Sequence, residues 1–137
     1  MPEIKAIETR YAGHHFRSRL EARWAVFFDA LDMRWEYEPE GYELASGRYL
    51  PDFWLANADA FLEVKRPGAP FDQRWTDLAA MTGQHVIVVR GIGENGTMAS
   101  YSPAGVARFH ERPYLWSYPP ASAAYVKAQS ARFDGRK

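Results

Sequence analysis

Two strand-like runs separated by a short polar break constrain the fold of this chain more than any other feature. Residues 48–55 (Arg-Tyr-Leu-Pro-Asp-Phe-Trp-Leu) and 59–66 (Asp-Ala-Phe-Leu-Glu-Val-Lys-Arg) flank the break at 56–58 (Ala-Asn-Ala). Both runs contain the aromatic and apolar residues that favour strands. We therefore predict a β-hairpin whose loop contains either two residues (57–58) or four (56–59).

Either loop sets the register of this hairpin, because the numbers of opposed residues then sum to 115. Asp52 lies opposite Glu63 in that register, and directly opposed side chains project from the same face of a sheet. Lys65, two residues after Glu63, projects from the same face, whereas Val64 projects into a core. Two carboxylates and an amine are therefore predicted to converge on one patch. A three-residue loop would place the carboxylates on opposite faces.

The hydrophobic pattern of the remaining chain predicts an α/β fold with the order α-β-β-β-α-β. Apolar residues at the helical period indicate the helices, and compact apolar runs indicate the strands. The predicted segments are a helix over 15–32, strands over 35–38, 48–55 and 59–66, a helix over 71–82 ending at Gly83, a strand over 85–90 and a short helix over 121–133. Residues 42–44 are expected to be extended, and no element is predicted for the glycine- and proline-rich stretch 91–120.

Composition indicates one globular domain spanning residues 1–137. The chain has 47% hydrophobic and 15% aromatic residues, enough for a substantial core. It has no cysteine, which excludes disulfides, thiolate metal sites and a cysteine nucleophile. No apolar stretch is long enough to span a membrane, and no apolar signal region is visible at the start. We expect a cytoplasmic protein without a membrane partner.

The motif order resembles that of the PD-(D/E)XK nuclease superfamily, in particular its small phage and bacterial members. A helix-like stretch carrying Glu21 precedes Pro51-Asp52, which precedes Glu63-Val64-Lys65. The stretches that carry the resemblance are 16–25 (Phe-Arg-Ser-Arg-Leu-Glu-Ala-Arg-Trp-Ala), 35–41 (Trp-Glu-Tyr-Glu-Pro-Glu-Gly) and 49–54 (Tyr-Leu-Pro-Asp-Phe-Trp), with a weaker match at 128–133. The resemblance covers roughly residues 10–90. It implies a restriction-endonuclease-like core, a central mixed β-sheet flanked by helices, with a C-terminal extension.

The resemblance also implies an activity and a ligand set. Members hydrolyse DNA phosphodiester bonds with a metal-activated water, as endonucleases or exonucleases, in phage or mobile-element DNA processing, recombination or repair. By analogy, Mg²⁺ or Mn²⁺ would be held by Asp52, Glu63, the Val64 carbonyl and Glu21. Lys65 would complete the catalytic set with Glu63, Asp52 and Glu21. DNA is the implied partner, and a homodimer or a larger DNA-processing complex is compatible with the family.

Simpler interpretations of the same residues remain open. Glu21 lies one turn after Arg17 and could form an ordinary helix-surface ion pair. Asp52 could be a solvent-facing residue after a proline, and Glu63 could be half of a cross-strand ion pair. At the level of function, the alternatives are a catalytically silent relative that binds DNA or a protein partner, and an unrelated α/β interaction module with an accidental motif.

The charge distribution leaves room for a polyanionic substrate although the net charge is zero. Residues 100–137 contain six basic and two acidic residues, and a cluster of arginines lies in the predicted first helix. Basic flanks beside an acidic site can bind phosphates. The predicted DNA-binding residues are Arg17, Arg19, Arg23, Arg132, Arg136 and Lys137.

Overall fold

The computed structural model describes residues 9–93, 96–110 and 119–133. In these ranges the chain forms ten strands and three helices. They are β1 (Thr9–Tyr11), β2 (His14–Phe16), α1 (Arg19–Ala30), β3 (Trp35–Tyr37), β4 (Tyr42–Leu44), β5 (Gly47–Tyr49), β6 (Phe53–Leu55), β7 (Ala60–Lys65), α2 (Gln73–Thr82), β8 (His85–Arg90), β9 (Thr97–Tyr101), β10 (Ala107–His110) and α3 (Pro119–Ser130).

A six-stranded mixed sheet is the centre of the molecule. Its strand order is β10-β9-β8-β7-β6-β3, and only the β7–β8 pair is parallel among these described strands. The parallel pair requires a crossover, which α2 provides between β7 and β8. The predicted order α-β-β-β-α-β is confirmed as α1, β3, β6, β7, α2 and β8. The prediction of an α/β fold with a mixed central sheet is therefore confirmed.

The predicted register of the β6–β7 hairpin is also confirmed. Phe53 pairs with Leu62 and Leu55 pairs with Ala60, so opposed residue numbers sum to 115. The loop is the four-residue alternative, 56–59, in which Asp59 adopts a left-handed backbone with φ of 48°. Extending the ladder by one position brings Asp52 opposite Glu63.

The predicted strand over 48–55 is divided in two. Its first part, β5, pairs with β4 in a separate two-stranded sheet, and its second part, β6, joins the central sheet. Pro51 lies at the division. Proline lacks an amide hydrogen and cannot donate to a ladder, so the chain changes partners there.

The first helix is shorter than predicted, because residues 14–16 form a strand instead. His14–Phe16 pairs with Thr9–Tyr11 around a two-residue turn in which Ala12 and Gly13 both have positive φ, 50° and 80°. Such turns match the twist of a hairpin. The helix then begins after Ser18, whose hydroxyl caps the amide of Glu21.

Elements at the C-terminal side were predicted only in part. Helix α2 ends at Gly83 as predicted, with a left-handed φ of 71° and its amide bonded to the Ala79 carbonyl. Strands β9 and β10 lie within the stretch 91–120 for which no element was predicted. They extend the sheet beyond β8, so the C-terminal extension contributes to the central sheet rather than packing outside it. The last helix, α3, covers most of the predicted 121–133 but begins at Pro119.

Two apolar cores lie on opposite faces of the sheet. The core on the α1 side contains Phe53, Leu62 and Val64 together with buried residues of α1 and α3. The core on the α2 side contains Phe61 and Trp75 together with residues of α2, β8 and β9. Val64 therefore projects into a core as predicted.

Candidate active site

Asp52 and Glu63 meet where the β6–β7 ladder ends. The backbone amide of Asp52 donates to Glu63 Oε1 at 2.6 Å, and the amide of Val64 donates to Asp52 Oδ2 at 2.8 Å. Each carboxylate thus accepts a backbone hydrogen bond from the opposite strand. Backbone amides, rather than a cationic side chain, thus orient both carboxylates.

Pro51 explains why these hydrogen bonds go to side chains. In the confirmed register, Pro51 is the position opposed to Val64. The Lys65 carbonyl accepts from Gly91 beyond β8, so Val64, one residue earlier, directs its amide and carbonyl toward the β6 side. Proline has no amide hydrogen to offer the Val64 carbonyl. That carbonyl therefore receives no ladder bond from the residue opposite and is suited to bind a cation beside Asp52.

The two carboxyl groups have perturbed acidities. Burial raises the pKa of Glu63 to about 7, although hydrogen bonds from Tyr49 and from the Asp52 amide, and the charge of Lys65, oppose this shift. Burial, and then the negative charges of Glu63 and Glu21, raise the pKa of Asp52 well above its usual range. Enclosure disfavours the ionised forms, and a bound cation would favour them.

Lys65 is placed next to Glu63 at the opening of the site. Its ammonium lies 3.8 Å from Glu63 Oε2, and its side chain is 34% exposed whereas that of Glu63 is 1% exposed. The separation exceeds a direct hydrogen bond. An amine in this position can reach both the carboxylate pair and a ligand arriving from solvent.

Glu21 interacts with Ser18, the residue that caps the start of α1. Its carboxylate accepts from the hydroxyl of Ser18 at 3.0 Å, and its amide donates to that hydroxyl at 3.1 Å. The spacing Ser-x-x-Glu is the signature of a capping box, which could have been recognised in the sequence. The alternative of an ion pair between Glu21 and Arg17 is not observed, because Arg17 binds Glu38 at 2.8 Å.

Tyr37 holds Glu21 near the carboxylate pair. Its hydroxyl donates to Glu21 Oε2 at 3.2 Å and accepts from the Arg17 amide at 3.0 Å. Burial raises the pKa of Tyr37, and the charges of Glu21, Glu38 and Asp52 add to this effect. Glu21 is therefore an electrostatic neighbour of Asp52, held in place by a tyrosine that no motif indicated.

Tyr49 and Trp75 orient Glu63 from the other side. The Trp75 indole nitrogen donates to the Tyr49 hydroxyl at 3.0 Å, and that hydroxyl is hydrogen-bonded to Glu63. Both aromatic residues are buried in the α2-side core. The relay anchors the carboxylate in a rigid apolar layer, and it depends on helix packing that the sequence did not reveal.

The residues present fit a small, hard cation with few protein ligands. Mg²⁺ commonly keeps several waters and takes one or two carboxylates. Asp52, Glu63 and the Val64 carbonyl supply such oxygens. Within the described ranges, no three His, Cys, Asp or Glu side chains cluster closely enough to hold a metal together. Glu21 is therefore not grouped closely enough with Asp52 and Glu63 to complete a three-carboxylate metal site in this arrangement.

The predicted DNA-binding residues have different environments. One Arg23 nitrogen donates to the carbonyls of Ala128, Gln129 and Ala131 at 2.7–3.2 Å, so this guanidinium caps the end of α3. These bonds give Arg23 a structural role at the end of α3, and its predicted contact with DNA stays a prediction. Arg19 is exposed, and Arg17 is exposed but paired with Glu38.

The C-terminal bases are only partly described. Arg132 is exposed and lines a groove of about 480 Å³ with Arg10, His14 and His15. Arg136 and Lys137 lie outside the described residues, so their predicted role stays a prediction. The first hairpin brings Arg10 and the two histidines beside Arg132, an arrangement that the predicted helix over 15–32 did not show.

No protein-family model matches this chain, and neither a curated protein nor a solved structure shows significant similarity to it. Among the described helices, none is long and apolar enough to cross a membrane. The functional conclusion must therefore be drawn from the geometry of the site.

Proposed function

We propose that this protein is a Mg²⁺- or Mn²⁺-dependent deoxyribonuclease with a restriction-endonuclease-like fold of the PD-(D/E)XK type. The observation that carries the proposal is the pair Asp52 and Glu63 at the end of the β6–β7 hairpin, with Lys65 3.8 Å from Glu63. Two carboxylates and the carbonyl opposite Pro51 lie where the β6–β7 ladder ends and can supply oxygen ligands to a cation. The amine of Lys65 beside them can assist metal-dependent phosphodiester hydrolysis.

The residues have distinct roles in this proposal. Asp52, Glu63 and the Val64 carbonyl would hold the cation, and Tyr49 keeps Glu63 in place. A bound Mg²⁺ or Mn²⁺ would supply a Lewis acid and a water of lowered pKa. Lys65 positions the phosphate and stabilises negative charge on its oxygens. Glu21 adds negative charge that favours cation entry.

Exposed bases support a nucleic-acid substrate. Arg19 lies at the start of α1, in the same first turn as Glu21. Arg10, His14 and Arg132 line the groove between the first hairpin and residues 132–133, and none of its described lining residues is acidic. A basic groove in a molecule of zero net charge concentrates binding of a polyanion on one surface.

The decisive experiment separates metal binding from catalysis. Asp52→Asn should lose Mn²⁺ affinity and lower cleavage at least about 100-fold, because a metal ligand loses its charge while its oxygen can still accept from Val64. Lys65→Ala should retain Mn²⁺ affinity and lose cleavage, because an ammonium does not bind a cation. Calorimetric Mn²⁺ titration and a cleavage assay on single-stranded, double-stranded and branched labelled DNA measure both effects.

Lys127→Ala is the matched control, because Lys127 is an exposed lysine on α3. Equal loss of Mn²⁺ affinity in Asp52→Asn and Lys65→Ala would contradict the assigned roles. Binding of DNA and Mn²⁺ without any cleavage would replace the proposal by the alternative of a catalytically silent binding subunit. Mn²⁺ affinity unchanged by Asp52→Asn would show that the motif is accidental.

A further inference from the structure

A pocket without an assigned role lies immediately beside Lys65. It has a volume of about 320 Å³ and is formed by the connection between β7 and α2, with Lys65, Pro70, Phe71, Gln73 and Trp75 among its lining residues. This volume corresponds to about ten water molecules and lies at the small end of the range for ligand pockets. The size suits one flat ring system rather than an extended ligand.

Phe71 is the unusual member of the lining. Its side chain is 53% exposed although a large apolar core lies next to it. The ring meets Trp75 edge-on, with centroids 5.8 Å apart and planes at 89°, and lies 5.7 Å from Tyr101. These contacts anchor the ring on the protein side and leave more than half of it available to a ligand.

The connection that carries Phe71 is held rigidly. The Arg90 Nε donates to the Ala69 carbonyl at 2.8 Å, and the Gly91 amide donates to the Lys65 carbonyl at 2.8 Å. Pro67 and Pro70 restrict the backbone further. An aromatic ring that is already fixed binds a flat partner with little loss of conformational entropy.

The charges around the pocket favour a ligand that carries a phosphate on one side. Lys65 contributes a positive charge, and Asp72 is paired with Arg74 at 2.6 Å. The Gln73 amide is bonded to Asp77 at 3.1 Å. An anionic group near Lys65 and an uncharged flat group over Phe71 would match this surface.

We propose that this pocket binds a nucleobase of the DNA strand, stacked on Phe71, next to the phosphate that Lys65 contacts. The inference rests on the proposed function, since it takes the site's substrate to be DNA, and it adds a subsite that selects unpaired bases. A base can stack on Phe71 only when it is free of its own neighbours, so single-stranded or frayed DNA is the preferred substrate form.

A comparison of bases with abasic sites tests the stacking. Fluorescence anisotropy in EDTA measures binding of a labelled single-stranded oligonucleotide and of the same oligonucleotide built entirely from abasic nucleotides. Phe71→Ala should weaken binding of the base-containing strand about 5- to 100-fold. It should leave the affinity for the abasic strand within about twofold, because phosphate contacts are unchanged. Phe71→Trp should restore binding of the base-containing strand.

Phe109→Ala is the control variant. Phe109 is also an exposed phenylalanine, at 71%, and it too lies against Tyr101, with centroids 6.4 Å apart, but it is not a lining residue of the pocket. Its removal should change neither affinity. Thermal unfolding of both variants establishes that the fold is retained.

The outcomes separate this inference from the proposed function. An equal loss for both strands, or no loss for either, would overturn the nucleobase subsite even if the wild-type protein cleaves DNA with Mn²⁺. Unchanged DNA affinity with an altered oligomeric state would assign Phe71 to a protein contact and also overturn it. A base-dependent loss in a protein that fails to cleave DNA would support the subsite and reject the hydrolase.

Discussion

The two faces of strand β7 show how the molecule combines stability with a charged site. Leu62 and Val64 project toward α1 into the apolar core, and Ala60 on the same face is also buried. On the opposite face, Phe61 is buried in the α2-side core, but the next alternate positions are Glu63 and Lys65. One strand thus changes from apolar to charged on one face while remaining apolar on the other.

On the α1 face, strand β7 contributes only to the apolar core, whereas on the α2 face it also carries the candidate site. A buried carboxylate is costly unless it is hydrogen-bonded or paired. Glu63 receives hydrogen bonds from Tyr49 and from the Asp52 amide, yet its pKa remains raised. The neighbouring aromatic core must therefore offset the cost of the ionised carboxylate, which protonation or a bound cation would relieve.

The largest predicted effect is the loss of an aromatic side chain from the α1 face. Phe53 is fully buried, with ring centroids 5.3 Å from Phe28 and 5.4 Å from Tyr37. Phe53→Ala should lower the free energy of unfolding by about 3–5 kcal/mol, because a large cavity forms next to the site. Urea unfolding measures this change. A loss below about 1 kcal/mol would show that the α1 face is not the main source of stability.

The second predicted effect lies on the α2 face and depends on pH. Because the pKa of Glu63 is raised from 4.5 to about 7 in the folded protein, folding favours its protonated form. Its contribution to stability is full below pH 4.5 and is lost as pH rises to about 7, a change of roughly 3 kcal/mol. The raised pKa of Asp52 acts in the same direction.

Glu63→Gln removes this titration and should flatten the dependence of stability on pH over that window. Mg²⁺ should flatten it in the wild-type protein, because cation binding favours the ionised carboxylates in the folded state. Unfolding free energies between pH 4.5 and 7.5 measure both effects. An identical slope in the wild-type protein and in Glu63→Gln would contradict the assignment to Glu63.

The smallest predicted effect distinguishes two arginines of α1. Arg23→Gln should lower the unfolding free energy by about 1–2 kcal/mol, since it removes charged hydrogen bonds to the carbonyls that end α3. Arg19→Gln should change stability by less than about 0.5 kcal/mol but weaken DNA binding and reduce its salt slope by about 0.9 for one lost phosphate contact to duplex DNA. Weaker DNA binding in Arg23→Gln, together with a stability loss in Arg19→Gln, would contradict this assignment and place Arg23 on the DNA-binding surface.

The arrangement of the core was readable from local sequence patterns. Alternation within 59–66 and the short loop before it were enough to predict the register that brings Asp52 opposite Glu63. Gly83 marked the end of α2 because the left-handed backbone conformation that ends the helix there favours glycine. These features depend on neighbouring residues along the chain, and local propensity therefore determines them.

Other elements were mispredicted or left unassigned because strand pairing, not periodicity, decides them. Residues 15–16 follow a helical pattern but pair with β1, and 107–110 form a strand beside β9. The sequence also does not show that Arg23 binds carbonyls at the end of α3, more than a hundred positions later.

The sequence by itself determined the order of the core elements, the register of the central hairpin and the residues that could form a carboxylate site. Only the tertiary structure decided how those residues are supported. The relay from Trp75 through Tyr49 to Glu63, and the placement of Phe71 beside Lys65, depend on α2 packing against the sheet. Periodicity along the chain specifies which face a side chain takes, whereas burial and hydrogen-bond partners depend on what the rest of the fold brings to that face.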